Sequence, residues 1–191
     1  MDADNCYNQI LHPMASMVFQ AFGVPTPAIE SMLTTIQNMK FFLRTGYGDS
    51  DSYAGGDNDE SEDPIRTQGM CQGNGASPTV WTVTSIPMIA AHKRKGHGAH
   101  FIAKMSENTG HLVGRLFVDD TDLIHLDMRT IETTLEAHIK LQESVINWGK
   151  LLIATGGALK PAKCSYYLIS FKWNQMEHGT TAGMRSGPTF R

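Results

Sequence analysis

The stretch from Leu112 to Leu126 constrains this chain more than any other. Leu112, Val113, Leu116 and Val118 lead into the dipeptide Asp119-Asp120, and Leu123, Ile124 and Leu126 lead out of it. Two runs of strand-forming residues around a short polar turn predict a β-hairpin with adjacent carboxylates at its tip. Neighbouring aspartates repel each other, and a fold that holds both rigidly tends to neutralise them with a cation. Hard oxygen donors on a tight turn suit Mg²⁺ or Mn²⁺. Taken alone the pair reads as an ordinary solvated turn, so its company in the sequence decides between the two.

A chain of 191 residues can form one domain or part of a larger one. Its apolar content of 41% and charged content of 18% are those of a globular protein, not a disordered one. No apolar stretch reaches membrane-spanning length and the N-terminus lacks a signal-peptide pattern, so a soluble, intracellular protein with no membrane partner is expected. Cys6, Cys71 and Cys164 are far apart, odd in number and outside any CxxC pair, which points to reduced thiols. The net charge of −3 gives nucleic-acid binding no support, but it is unevenly spread: Asp49 to Asp63 holds seven acidic residues and no basic one. Without that loop the remainder is mildly basic, with a cluster at His92, Lys93, Arg94 and Lys95.

Along the chain, residues 14–22 form a candidate short helix ending at Gly23 and Pro25. Thr26 can cap a longer one with Pro27 at its first position; Ile29, Met32, Leu33, Ile36 and Leu43 supply the apolar stripe and Gly46 the stop. Residues 49–63 read as an acidic flexible loop. Its aspartates imitate part of a calcium loop, but Ala54 replaces the required glycine, so a solvated loop is preferred. Pro78 opens a helix through Val80, Trp81, Val83 and Ile86, with a bend expected at Pro87. Residues 99–105 suggest a strand. The clearest helix runs from about Met128 to Ala154 through Ile131, Leu135, Ile139, Val145 and Leu152, and Gly156-Gly157 stops it. A strand follows over 164–171, and 174–191 reads as a disordered tail. Helices interleaved with strands predict an α+β fold: one antiparallel sheet with helices packed on one face.

Three further segments carry chemistry. Asp2-Ala3-Asp4-Asn5-Cys6-Tyr7 sets an aromatic five residues after a carboxylate. Gln72-Gly73-Asn74-Gly75-Ala76-Ser77-Pro78 is a backbone-exposing turn that runs into a helix. Gly156-Gly157-Ala158-Leu159-Lys160-Pro161-Ala162-Lys163 places a lysine just before the last strand. With the Asp-Asp hairpin, this order resembles the palm domain of reverse transcriptases, those of non-LTR retrotransposons in particular, over residues 1–173. The resemblance implies an RNA-directed DNA polymerase, a nucleotidyltransferase in which two Mg²⁺ (or Mn²⁺) ions about 3.5–4 Å apart promote attack of a primer 3′-hydroxyl on a deoxynucleoside triphosphate. It assigns the metals to Asp2, Asp119 and Asp120, with Asp4 the competitor to Asp2. Tyr7 would lie beneath the incoming sugar and exclude a 2′-hydroxyl, although a core tyrosine is the plain alternative. Gln72 and Gly73 would face the nascent base pair and template. Lys163 would donate a proton or stabilise pyrophosphate. The implied partners are an RNA template, a DNA primer and deoxynucleoside triphosphates. His92, His97 and His100 are close in sequence but lack a fourth metal-ligating partner.

The chain departs from the family pattern at Asn8, where an aspartate is common. It departs also in having only Met1 before Asp2, where the family has an apolar palm strand, and in lacking counterparts of the fingers and thumb. An incomplete palm is therefore expected. The alternatives are a catalytically dead palm relic or interaction domain and, ranked lower, another palm-topology enzyme such as a nucleotide cyclase.

Overall fold

The computed structural model describes residues 3–4, 6–55, 68–103, 105–117, 120–127, 133–173 and 179–188. The fold is α+β, with helices and small, mostly antiparallel sheets. In place of the one palm-like sheet expected, the described strands sort into four separate sheets. The chain divides into two compact units. One comprises Asn5–Ser85; the other comprises Met1–Asp4 and Ile86–Arg191.

The first unit opens with the short helix α1 (Cys6–Gln9), followed by α2 (His12–Ala21) and α3 (Thr26–Gln37). Proline at the start of α2 and of α3 is tolerated because the first N–H groups of a helix have no partner within it. Pro25, not Thr26, is the N-cap of α3, and no side chain caps it. Ile29 and Ile36 are buried as the apolar stripe predicts. The helix ends at Gln37, earlier than expected, because Phe41–Thr45 forms a strand, β1, paired with β2 (Gly48–Ala54). Leu43 is accordingly 70% exposed instead of completing a helical stripe. The start of the acidic loop is thus strand, tied by a bidentate contact from Arg44 to Asp49 (Nε–Oδ1 2.6 Å, Nη2–Oδ2 2.9 Å); residues 56–67 lie outside the described set. Ile10, Ala15, Val18, Met70, Val80 and Trp81 are buried within this unit.

The boundary between the units falls inside α4 (Ser77–Arg94), one residue before Pro87, which the helix accommodates in its interior. Beyond it come β3 (Ala99–Ile102), β4 (Thr109–Leu112), β5 (Gly114–Phe117), β6 (Asp120–Leu123) and β7 (Leu126–Asp127). β3 lies between β4, antiparallel, and β7, parallel. The long helix α5 (Thr134–Ala154) begins at a capping box in which Thr133 and Glu136 satisfy each other's backbone N–H. Its buried face is Ser144, Val145, Trp148 and Leu152, whereas Leu135 and Ile139 of the expected stripe are exposed. A one-turn 3-10 helix (Pro161–Lys163) leads into β8 (Ser165–Trp173). Where a loose tail was expected, β9 (Gly179–Pro188) pairs antiparallel with β8; the ladder is set by an existing partner strand, which glycine-rich local sequence does not reveal. Among the described residues, no helix is long and apolar enough to cross a membrane.

Candidate functional site

Tyr7, Gln72 and Gly73 belong to the first unit, and backbone hydrogen bonds bring their two segments together across more than sixty residues of sequence. Met70 N donates to Tyr7 O at 2.7 Å, and Gln72 N donates to the Asn8 side-chain Oδ1 at 3.0 Å. Asn8 is therefore the residue that fixes Gln72. His12 extends the clamp: its Nε2 donates to Gly69 O at 2.7 Å while its Nδ1 accepts from Gln37 Nε2 at 3.0 Å. Gly69 has φ +84°, and a Cβ there would run into the backbone C, O and Cα of Asn8, so only glycine permits the approach.

The turn that follows is held from α4. The buried Ser77 Oγ lies 2.7 Å from Met70 O and 2.8 Å from Cys71 O, so one hydroxyl proton serves two carbonyls. Asn74 Oδ1 accepts from Ala76 N. Cys71 (φ +61°) and Gly73 (φ +93°) both have left-handed backbones, and burial pushes the Cys71 thiol pKa up. Gln72 and Gly73 are exposed, as a nucleotide contact requires. Tyr7 is half-buried with its hydroxyl oxygen shielded from solvent, an environment that suits a core tyrosine as well as a sugar-facing ring.

In the second unit the hairpin forms as the sequence predicts. β5 and β6 pair antiparallel with Gly114 opposite Leu123 and Phe117 opposite Asp120, which leaves two residues between the strands. Asp120 is exposed on the first residue of β6, and the next residue, Thr121, is buried at 2% exposure. β6, α5 and β8 together border a cleft of about 350 Å³ lined by Thr121, Leu141, Val145 and Tyr166 among others. Asp2 and Asp119 lie outside the described residues, so of the three expected metal ligands the structure describes Asp120 alone. Among the described residues, no group of three or more His, Cys, Asp or Glu is arranged to hold a metal ion.

The first and third chemical segments do meet. Ala3 forms an antiparallel bridge with Leu159, Asp4 N donates to Ala158 O at 2.8 Å, and Lys160 Nζ lies 3.3 Å from Asp4 Oδ1. Lys160, not Lys163, is thus the lysine of its segment that reaches this aspartate, and Asp4 is paired where a merely solvated role had been the plain reading. Both side chains remain partly exposed, so the pair contributes little stability. Lys163 is exposed at the end of the 3-10 turn. The three cysteines are free thiols.

Sequence spacing singled out His92, His97 and His100 but not the partners that the fold gives them. His92 is fully buried, with Nε2 donating to Ser144 Oγ at 2.9 Å and Nδ1 accepting from Asn147 Nδ2 at 2.8 Å. Its ring stacks on His97 at 4.6 Å and meets Trp148 edge-on at 5.6 Å. His100 stacks on His111 at 3.8 Å, because the β3–β4 register sets them directly opposite, and His111 Nε2 donates to His97 O at 2.9 Å. Burial, with a smaller effect from His97, lowers the His92 pKa to about 4. His97 is also lowered, chiefly by burial.

No family model, curated protein or solved structure matches the chain.

Proposed function

We propose that this chain is the palm portion of a retroelement reverse transcriptase, whose parent reaction is RNA-templated addition of deoxynucleotides to a primer 3′-hydroxyl. In this reading Asp2, Asp119 and Asp120 hold two Mg²⁺ ions, Tyr7, Gln72 and Gly73 border the nucleotide, and Lys163 assists the leaving pyrophosphate. The observation that supports it most is the antiparallel pairing of β5 with β6, in which Asp120 stands opposite Phe117 at the start of the second strand. The joining of the segments around Tyr7 and Gln72, and of those around Asp4 and Lys160, adds support. A second reading, a palm relic without turnover, is favoured by one specific observation. Among the described residues, β5 and β6 pair with no third strand, where a working palm builds its hairpin into a larger sheet.

Primer extension on an RNA template, with Mg²⁺ and separately with Mn²⁺, tests both. Extension by the wild type that falls at least about 100-fold in Asp119→Asn supports the polymerase, since a lost metal ligand removes the charge that activates the hydroxyl. Extension equal in wild type and variant refutes the metal assignment. No extension with either metal supports the relic.

A further inference from the structure

The unit containing residues 86–191 has a second cleft, of about 200 Å³, between the end of α4, β3, the segment after β6, and α5. Among the described residues its charged and titratable lining is Lys95, His97, His100, His125, Lys140 and Glu143, joined by two glycines. We propose that this cleft binds a phosphate group carried as a dianion, either free phosphate or the terminal phosphate of a nucleotide.

Three observations carry the assignment. The first is charge: among the described lining residues two ammonium groups stand against one carboxylate, leaving one positive charge with the imidazoles neutral and four with all three protonated. The second is spacing. Three histidines and a glutamate share the cleft, yet among the described residues no three of them form a group that could hold a metal ion. Metal coordination needs donors about 2 Å from one point, whereas a tetrahedral oxyanion offers four oxygens that accept from donors spread farther apart. The third is rigidity. His97 is held by its stack on the buried His92 and by the hydrogen bond from His111 to its carbonyl, and His100 by its stack on His111. Side chains fixed beforehand lose less entropy on binding.

Binding is coupled to protonation. Around His97 stand His92 from α4, Lys95 from the following turn, His125 after β6, and Glu143 and Lys140 from α5. Burial lowers the His97 pKa most; Glu143 opposes that, and His125 and Lys95 add to it. A bound dianion acts as a second Glu143 and draws a proton onto the ring.

The test is histidine side-chain NMR on the whole protein, titrated with inorganic sulfate, inorganic phosphate and a nucleoside 5′-monophosphate. Sulfate stays a dianion across the range, so its pH dependence reports the imidazoles alone. The expected result is that shifts concentrate at His97, His100 and His125 and that sulfate binds about tenfold more weakly at about pH 8 than at about pH 6. Lys140→Ala and, separately, the exposed Lys95→Ala should each weaken binding about tenfold. A monophosphate that outcompetes phosphate identifies a nucleotide as the source; equal affinity identifies the free anion. Absence of shifts with all three anions, or binding unchanged in both lysine variants, overturns the proposal. No described residue of the β5–β6 hairpin lines this cleft, and the readout is anion binding, so the outcome is separate from that of the primer-extension test.

Discussion

Acid should unfold this protein through His92 before its carboxylates titrate. The ring has no solvent exposure, and both nitrogens are committed: Nε2 carries the proton donated to Ser144 Oγ, and Nδ1 takes one from the Asn147 amide. A second proton on Nδ1 would set two donors face to face at 2.8 Å. Burial and His97 therefore hold the folded pKa at about 4, against the ordinary value of 6.5. Above pH 6.5 neither state binds the extra proton and stability is level. Between 6.5 and 4 only the unfolded chain binds it, so stability falls as pH falls; below 4 the loss is complete. At about 1.4 kcal/mol per unit, the interval costs about 3 kcal/mol. His97 shifts in the same direction and adds to the slope. The carboxyl pKa values of Asp49, beside Arg44, and Glu136, hydrogen-bonded to Thr133, are lowered, and both side chains are exposed, so their losses are small and come at lower pH. Urea unfolding followed by circular dichroism from about pH 8 to about pH 4.5 measures the slope. His92→Gln keeps a donor and an acceptor without titrating, and should flatten most of it. A wild type with constant stability across the window, or a glutamine variant with an undiminished slope, would refute the reasoning.

Two further substitutions probe the first unit. Gly69→Ala places a Cβ on the backbone of Asn8 at φ +84° and should cost about 3 kcal/mol or more in urea unfolding; near-wild-type stability would show that the clamp between residues 7–8 and 70–72 does not form. Thr84→Val should instead raise stability by about 1 kcal/mol, because Thr84 Oγ1 is fully buried and has no hydrogen-bond partner among the described residues; a comparable loss would reveal a partner for the hydroxyl.

The elements legible in the sequence were those whose evidence is local. The hairpin was written in two apolar runs and a turn, and β5 and β6 pair antiparallel from Gly114 to Leu123, while Leu112 and Leu126 join a different sheet. α5 stops where Gly156-Gly157 says it should, and the α3 stripe buries Ile29 and Ile36. The misreadings came where a pairing partner outweighed local pattern. Leu43 continues the helical apolar spacing of Ile29 and Ile36, but it lies in Phe41–Thr45, which pairs with β2 as strand. Residues 179–188 lack any strand signature of their own and pair because β8 presents its edge. In α5 the spacing of Leu135 and Ile139 looked as apolar as that of Val145 and Leu152; only burial distinguishes the two halves.

The same division runs through the candidate sites. Motif order along the chain singles out residues 2–7, 72–78 and 156–163, but does not say which atoms join them. That information lies in the side chain of Asn8, which holds Gln72, and in Lys160, which takes Asp4, three residues before Lys163. Histidine spacing near the end of α4 was visible, whereas His111 enters through the β3–β4 register and Ser144 and Asn147 through α5. A histidine with committed nitrogens and no solvent exposure is a poor metal ligand and a good strut. Its effect on function then runs through His97, which it stacks against and helps hold at the edge of the cationic cleft. Replacing His92 should on this logic disturb anion binding by loosening His97, without removing any group that touches the anion.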